Sequence, residues 1–228
     1  MPEIERRDEP DGGHTYWLAG QQLPGITSVL SAVGYNGKAS AFYTPDSRQK
    51  GTAVHKACAL ADRMAPDATT VEEVLEVIDL HPDIVPYAAG WLLFCQEKQF
   101  RPCGWERALW SKTLRTAGTC DTWDIHNGVF RLVDLKSWKN QGAKPKVSAE
   151  LQTAGYVIMA REMGIIQPGQ KVERYVLKLS GNGKFRVYPC TGMDEEYVVY
   201  ACKTWWKQYA HKLVTLSGDP DDGVAALE

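Results

Sequence analysis

The sequence predicts one α/β domain: helices first, then a central mixed β-sheet, then flanking helices. Three observations predict it. Segments rich in aromatic and β-branched residues follow one another between 105 and 138, and the last two are joined by Asn127-Gly128, a strong hairpin signal. A further pair of such segments, "RYVLKLS" and "KFRVYPC", flanks Gly181-Asn182-Gly183. On either side of this strand-rich stretch, apolar residues recur at helical spacing.

The elements follow in order. The first fourteen residues read as a loose N-terminus. "TYWLAGQQLPGITSVLSAVG" gives a short strand, a Gly/Pro turn and a helix entered through Thr27 or Ser28. "RQKGTAVHKACALADRM" carries a helical stripe of Val54, Ala57, Cys58, Ala61 and Met64. In "APDATTVEEVLEVIDL", Thr69 and Thr70 precede Glu72 and Glu73 at capping-box spacing. Val71, Val74, Leu75 and Ile78 form that helix's apolar face. "HPDIVPYAAGWLLFCQEKQF" is a further helix, with Pro82 near its first turn or its start shifted by Pro86. Strands then occupy "WERALWSKTL", "GTCDTWDI" and "VFRLVDLKSW". A Lys- and Gly-rich loop leads to the helix "ELQTAGYVIMAREM", and the Gly-Asn-Gly hairpin follows. A last helix, "DEEYVVYACKTWWKQYAHKL", has a stripe of Tyr197, Val198, Ala201, Trp205 and Tyr209, with Trp205 and Trp206 read as packing residues. Residues 216–228 read as a loose tail, so the domain spans 15–215.

Composition sets the class. Hydrophobic residues at 44% and charged residues at 24% are those of a globular protein in water. No apolar run approaches the roughly 20 residues of a membrane span, and the opening "MPEIERRDEPDGG" is too polar for a signal peptide. A cytoplasmic protein without membrane contact is expected. Net charge is −2, so any nucleic-acid partner has to be held by a local basic patch or through metal ions. None of the six cysteines forms a C-x-x-C pair, and most read as buried free thiols.

The Asn-Gly turn fixes a register in which His126 faces Val129, Ile125 faces Phe130, Asp124 faces Arg131, Trp123 faces Leu132, and Thr122 faces Val133. Asp124 and Arg131 form an ion pair. One step further, Asp121 faces Asp134. Like charges on opposed strand positions, with Cβ atoms about 4.5–5.5 Å apart, destabilise a sheet, and aspartate is disfavoured in strands. A divalent cation between them would reverse the sign, and Lys136 projects from the same face as Asp134. The alternatives are a bulge that shifts the register, or an Asp121 solvated at the strand end. His55 borders the apolar stripe of its helix, where a lone histidine is ordinarily structural. Gln152 and Tyr156, four apart, share a helix face distinct from that of Leu151, Ala154 and Ile158; they suit a hydrogen-bonded pair as well as a site. Lys139, Lys144 and Lys146 follow Trp138 in a loop that is either simply solvated or placed to meet phosphates while Trp138 stacks on a base.

Asp121, followed after the hairpin by "VDLKS" (Asp134, Leu135, Lys136, Ser137), resembles the core of the PD-(D/E)xK nucleases. "GTAVHKA" resembles the G-x-x-x-H helix motif of the RecB-like branch, and "LQTAGYVIMA" its Q-x-x-x-Y motif. "YWLAGQQLPGITSVL" is similar to the N-terminal lead-in of phage-type members. These motifs run in the family's order from about Thr15 to Tyr156. The resemblance implies a restriction-endonuclease-like core and a metal-dependent DNA exonuclease of phage or prophage origin, serving recombination, repair or replication. It implies one or two Mg²⁺ or Mn²⁺ ions on His55, Asp121, Asp134 and the Leu135 carbonyl, with Glu106 as an upstream acidic residue. Lys136 would orient or activate water. Gln152 and Tyr156 would line the site or touch DNA, and Ser137, Trp138, Lys139, Lys144 and Lys146 would lie along the nucleic acid. Single- or double-stranded DNA ends, a homo-oligomer and a recombination or single-strand-binding partner are the implied companions. The cysteine set of iron–sulfur relatives is missing, so no cluster is expected. An endonuclease of the same superfamily, a ribonuclease, and a non-catalytic DNA-binding or scaffold protein that keeps the fold stay open at this point.

Overall fold

The turn at Asn127-Gly128 organises the larger of two sheets. Both residues take the positive φ that a type I′ turn requires, 51° and 79°. In a computed structural model that describes residues 3–9, 13–35, 45–64, 70–137, 145, 147–190, 194–209 and 211, this turn joins β5 (Thr116–His126) to β6 (Val129–Ser137). The five expected cross-strand pairs, from His126 with Val129 to Thr122 with Val133, all form. β4 (Gly104–Ser111) pairs antiparallel with β5. β7 (Val172–Leu179) runs parallel to β6, and β8 (Phe185–Pro189) closes the edge antiparallel to β7. The result is a five-stranded mixed sheet in the order β4-β5-β6-β7-β8.

Helices cover both faces, as strand alternation requires. Phe130 and Leu132 turn to one side, where they pack with α1 (Ile26–Ala32), α5 (Val147–Glu162) and α6 (Asp194–Tyr209) through Leu30, Leu151, Val157, Val198 and Trp205. Val133 and Leu135 turn to the other, against α2 (Pro45–Met64), α3 (Val71–Val77) and α4 (Val85–Lys98), where Val54, Val74, Trp91 and Phe94 lie. Each such side chain, once fully buried, contributes about 1.5–3 kcal/mol. The crossover from β6 through α5 to β7 is what makes those two strands parallel.

Local signals held where a named side chain acts. Thr70 and Glu73 form a reciprocal capping box at the start of α3; Thr69 lies outside the described residues. Pro86 sits in the first turn of α4. Other expectations are corrected. Residues Glu5–Asp8, read as loose, form β1, paired with β2 (His14–Leu18), and β3 (Gln21–Leu23) completes a second, three-stranded sheet. Buried Tyr16 and Leu18 give that sheet an apolar side against Trp110 and Ala117, which is why it is ordered. α1 starts at Ile26 behind Gly25 with no side-chain cap, because Ile26 is needed in the core. Met64 and Tyr197, assigned to apolar stripes, are exposed. Of the cysteines, Cys58, Cys120 and Cys202 are buried and Cys103 is exposed. The tail at 216–228 falls outside the described residues. Among the described residues no helix is long and apolar enough to cross a membrane.

Candidate active site

The β5–β6 ladder stops at Thr122 and Val133, one step before the two aspartates. The expected direct Asp121–Asp134 pair is therefore corrected. Asp121 instead uses Oδ2 to accept the Leu135 amide at 2.7 Å, a bond that stands where the ladder would have continued. The β4–β5 ladder is interrupted at the same level. Its register skips Glu106, opposite Asp121, and Glu106 holds a φ of 44°. A left-handed non-glycine residue costs about 1–2 kcal/mol, and such strain gathers at functional sites. The side-chain alternation of β5 also reverses here: Cys120 and Trp123, one even and one odd, both join the cluster under α5. The strands thus open where the carboxylates lie.

Four chain segments meet in this opening. His55, on the α2 face toward the sheet, has Nδ1 3.4 Å from Asp121 Oδ1 and 3.9 Å from Glu106 Oε1. Asp134 is fully buried, and its Oδ1 accepts no hydrogen bond. Its Oδ2 lies 2.7 Å from Lys136 Nζ as an ion pair. Ser137 faces Gly51, where an added Cβ would stand 3.9 Å from its Oγ, an ordinary contact. Trp138, Lys139, Lys144 and Lys146 lie outside the described residues.

Proton affinities follow from this crowding. Burial pushes the Asp134 carboxyl up to about 6, with Lys136 opposing and Asp121 adding to the rise. Burial acts on Asp121 too, but His55, Lys136 and the Leu135 amide together hold it below the usual carboxylate range. Burial disfavours charge on His55, yet Asp121 outweighs it and raises the imidazole above its ordinary value.

Gln152 Nε2 donates to Tyr156 Oη at 2.6 Å, as their spacing suggested. Their separation from the apolar face is corrected, since Tyr156 is buried in the same cluster as Leu151 and Ala154. α5 is buried on nearly all sides, so it has no polar face on which the pair could lie. Tyr156 is pressed against β5: a Cβ on Gly118 would come 2.6 Å from its Cε1 and 3.0 Å from Ile26 Cγ2. Gly118→Ala is expected to destabilise the protein by about 1–3 kcal/mol through overpacking, read as a fall of several degrees in thermal unfolding. An unchanged melting temperature would show that Tyr156 yields freely.

A divalent cation suits this donor set. Carboxylate oxygens from Asp121, Asp134 and Glu106 are hard ligands appropriate to Mg²⁺ and Mn²⁺, and an imidazole also accepts Mn²⁺. The fit is tested by Asp134, whose buried Oδ1 has no hydrogen-bond partner while Oδ2 has Lys136 alone, so that a cation would satisfy what the protein does not. Against this, among the described residues no three His, Cys, Asp or Glu side chains already stand in a ligating group.

The reading from sequence missed Arg6, Tyr16 and Thr119. Tyr16 Oη and Thr119 Oγ1 hydrogen-bond at 2.8 Å, and Arg6 Nη1 lies 3.4 Å from Thr119 Oγ1 and 3.8 Å from Glu106 Oε2. The alternation of "HTYWL" was the available signal, because a strand with one buried face needs a partner within hairpin reach.

No family model matches the chain, and no curated protein matches it in sequence. Among solved structures, that of SSO0001 is similar over 65% of this chain and 72% of its own, at 12% identity and a TM-score of 0.35. That likeness is too distant to build on.

Proposed function

We propose that this protein is a metal-dependent deoxyribonuclease with a PD-(D/E)xK-type core, acting as an exonuclease on DNA ends. The observation that carries the reading is Asp134: a fully buried carboxylate whose Oδ1 has no hydrogen-bond partner, paired through Oδ2 with Lys136 and next to Asp121, where two strands part. A mixed sheet with helices on both faces supports it, as do the resemblances at "GTAVHKA", "VDLKS" and "LQTAGYVIMA".

Asp121, Asp134, His55 and Glu106 would hold Mg²⁺ or Mn²⁺, which when bound supplies Lewis acidity and lowers the pKa of water. The chain's own residues do the rest. Lys136 presents a fixed positive charge to a phosphodiester, where charge grows in the transition state. The Leu135 amide holds Asp121 in one orientation. His55 has to be neutral to act as a ligand, while Asp121 beside it raises the proton affinity of the ring. Gln152 holds the Tyr156 hydroxyl, and Tyr156 would support β5 from within the core.

The rival is a DNA-binding or scaffold protein of the same fold without catalysis. It is favoured by the Lys136–Asp134 ion pair and by the lack of a ready ligating group among the described residues. End-labelled linear and closed circular DNA, single- and double-stranded, incubated with Mg²⁺, Mn²⁺ or EDTA, separates the readings. The expected result is metal-dependent loss of linear DNA only, absent in Lys136→Ala. Nicked circles would make the enzyme an endonuclease, and cleavage of RNA alone would change the substrate. No cleavage by folded protein under any condition selects the rival.

A further inference from the structure

The N-terminal sheet brings a second cation to the opening, beside Glu106 rather than Asp134. β1 carries Arg6, whose Nε pairs with Asp8 Oδ1 at 2.9 Å. Its Nη1 extends over β5 and β4, 3.4 Å from Thr119 Oγ1 and 3.8 Å from Glu106 Oε2. Neither distance is a strong contact; the second is too long for a hydrogen bond. Nη2 has no hydrogen-bond or ion-pair partner among the described residues, and the side chain is 27% exposed. The guanidinium is thus fixed at its neck and open at its tip. Tyr16, cross-strand from Arg6 and buried, locks β2 to Thr119 and so sets where β1 runs.

From Arg6 a line of charge leads inward: Glu106, then His55, then Asp121, with separations of 3.8, 3.9 and 3.4 Å. Arg6 therefore stands at the rim beside Glu106, with Glu106 and His55 between it and Asp121, whereas Lys136 stands beside Asp134. With Nε on Asp8 and Nη1 near Thr119 and Glu106, Nη2 is the edge of the guanidinium left for a phosphate oxygen. From these positions we infer that Arg6 binds a backbone phosphate of the nucleic acid next to the one presented to Asp121 and Asp134. The inference rests on the nuclease reading and extends it to a substrate contact on the small sheet. Release from Glu106 loses only a long, partly exposed contact, while the gained phosphate contact is charge-assisted.

The test is equilibrium binding of fluorescently labelled single-stranded and duplex oligonucleotides, in EDTA so that no cleavage occurs, across about 50–200 mM KCl. Native protein, Arg6→Ala and Arg6→Lys are compared, each checked by thermal unfolding. A phosphate contact predicts that Arg6→Ala weakens binding several-fold and uniformly across sequences, with the slope of log K against log salt reduced by about 0.7–0.9. Arg6→Lys keeps the charge, so its slope stays native while its affinity falls less. A structural latch predicts something else: both variants lose affinity alike and the slope does not move, which overturns the inference. Equal affinity and slope in all three proteins also overturns it, and leaves the nuclease reading intact if the native protein cleaves DNA. Native protein that neither binds nor cleaves nucleic acid removes both.

Discussion

Asp134→Asn is expected to raise the melting temperature of the metal-free protein by a few degrees, and to abolish both metal stabilisation and cleavage. The sign follows from linkage. The folded-state carboxyl is raised to about 6 from an ordinary value of 3.8, so the folded protein holds this proton more tightly than the unfolded chain does. Its contribution to stability is present below about pH 4 and is lost as pH rises through about 6. At neutral pH the metal-free protein therefore carries a buried, poorly satisfied carboxylate. An amide of the same shape removes that charge, and Lys136, which is partly exposed, can turn to water. The gain expected is of order 1–2 kcal/mol, and it should shrink near pH 5, where the native carboxyl is already protonated.

Cation binding reverses the ranking. Mn²⁺ at a hundred times its Kd should stabilise the native protein by about 2.7 kcal/mol and Asp134→Asn hardly at all. Cleavage should fall by on the order of 10³ or more, because a ligand and the local electrostatics are lost together. Thermal unfolding with EDTA and with Mn²⁺, run beside the cleavage assay, reads all three. A variant less stable than native without metal would mean that the Lys136 ion pair, not a missing cation, satisfies Asp134.

Much of the sheet was legible because the constraints were local. Asn127-Gly128 dictates its own turn, and from it every pair back to Thr122–Val133 follows by counting. Counting failed at the next step, where a side chain replaced the ladder: the Asp121 carboxylate takes the Leu135 amide. A register cannot register such an exchange, nor the left-handed backbone of Glu106, which belongs to the meeting of three strands rather than to its own neighbours. β1 was missed for a related reason. "ERRD" is polar throughout and shows no alternation; its order comes from Tyr16 and Leu18 on the partner strand. Tyr156 was placed on a polar face because periodicity assumes that a helix has one, and α5 is wrapped by β5, β6, α1 and α6. His55, Glu106, Asp121, Asp134 and Lys136, singled out from the sequence, lie near one another, while their contacts come from tertiary packing.

Arg131→Met is expected to destabilise the protein by about 3–5 kcal/mol, the largest loss of stability from any single change considered. Asp124 and Arg131 pair on the β5–β6 hairpin as the register required, and the pair is buried rather than on the surface: Asp124 is 1% exposed. Arg131 Nε donates to Asp124 Oδ1 at 2.8 Å, and its two Nη groups donate to the Lys98 and Gln99 carbonyls at 3.0 and 2.9 Å. Asp124 also accepts the Arg101 amide at 3.0 Å. This network ties the C-terminal end of α4, with Gln99 in a left-handed cap, to the hairpin that carries Asp121 and Asp134. Methionine fills much of the volume but leaves Asp124 charged, buried and short of its partner, and it orphans two carbonyls. At about 2–4 °C per kcal/mol for a chain of this size, the melting temperature should fall by about 10 °C. Asp124→Leu combined with Arg131→Met should cost less than Arg131→Met alone, because no unpaired charge is left behind. Urea unfolding of the single and double variants checks both statements. A double variant as unstable as the sum of its parts would mean that the carbonyls at the end of α4, rather than the Asp124 charge, are what Arg131 satisfies.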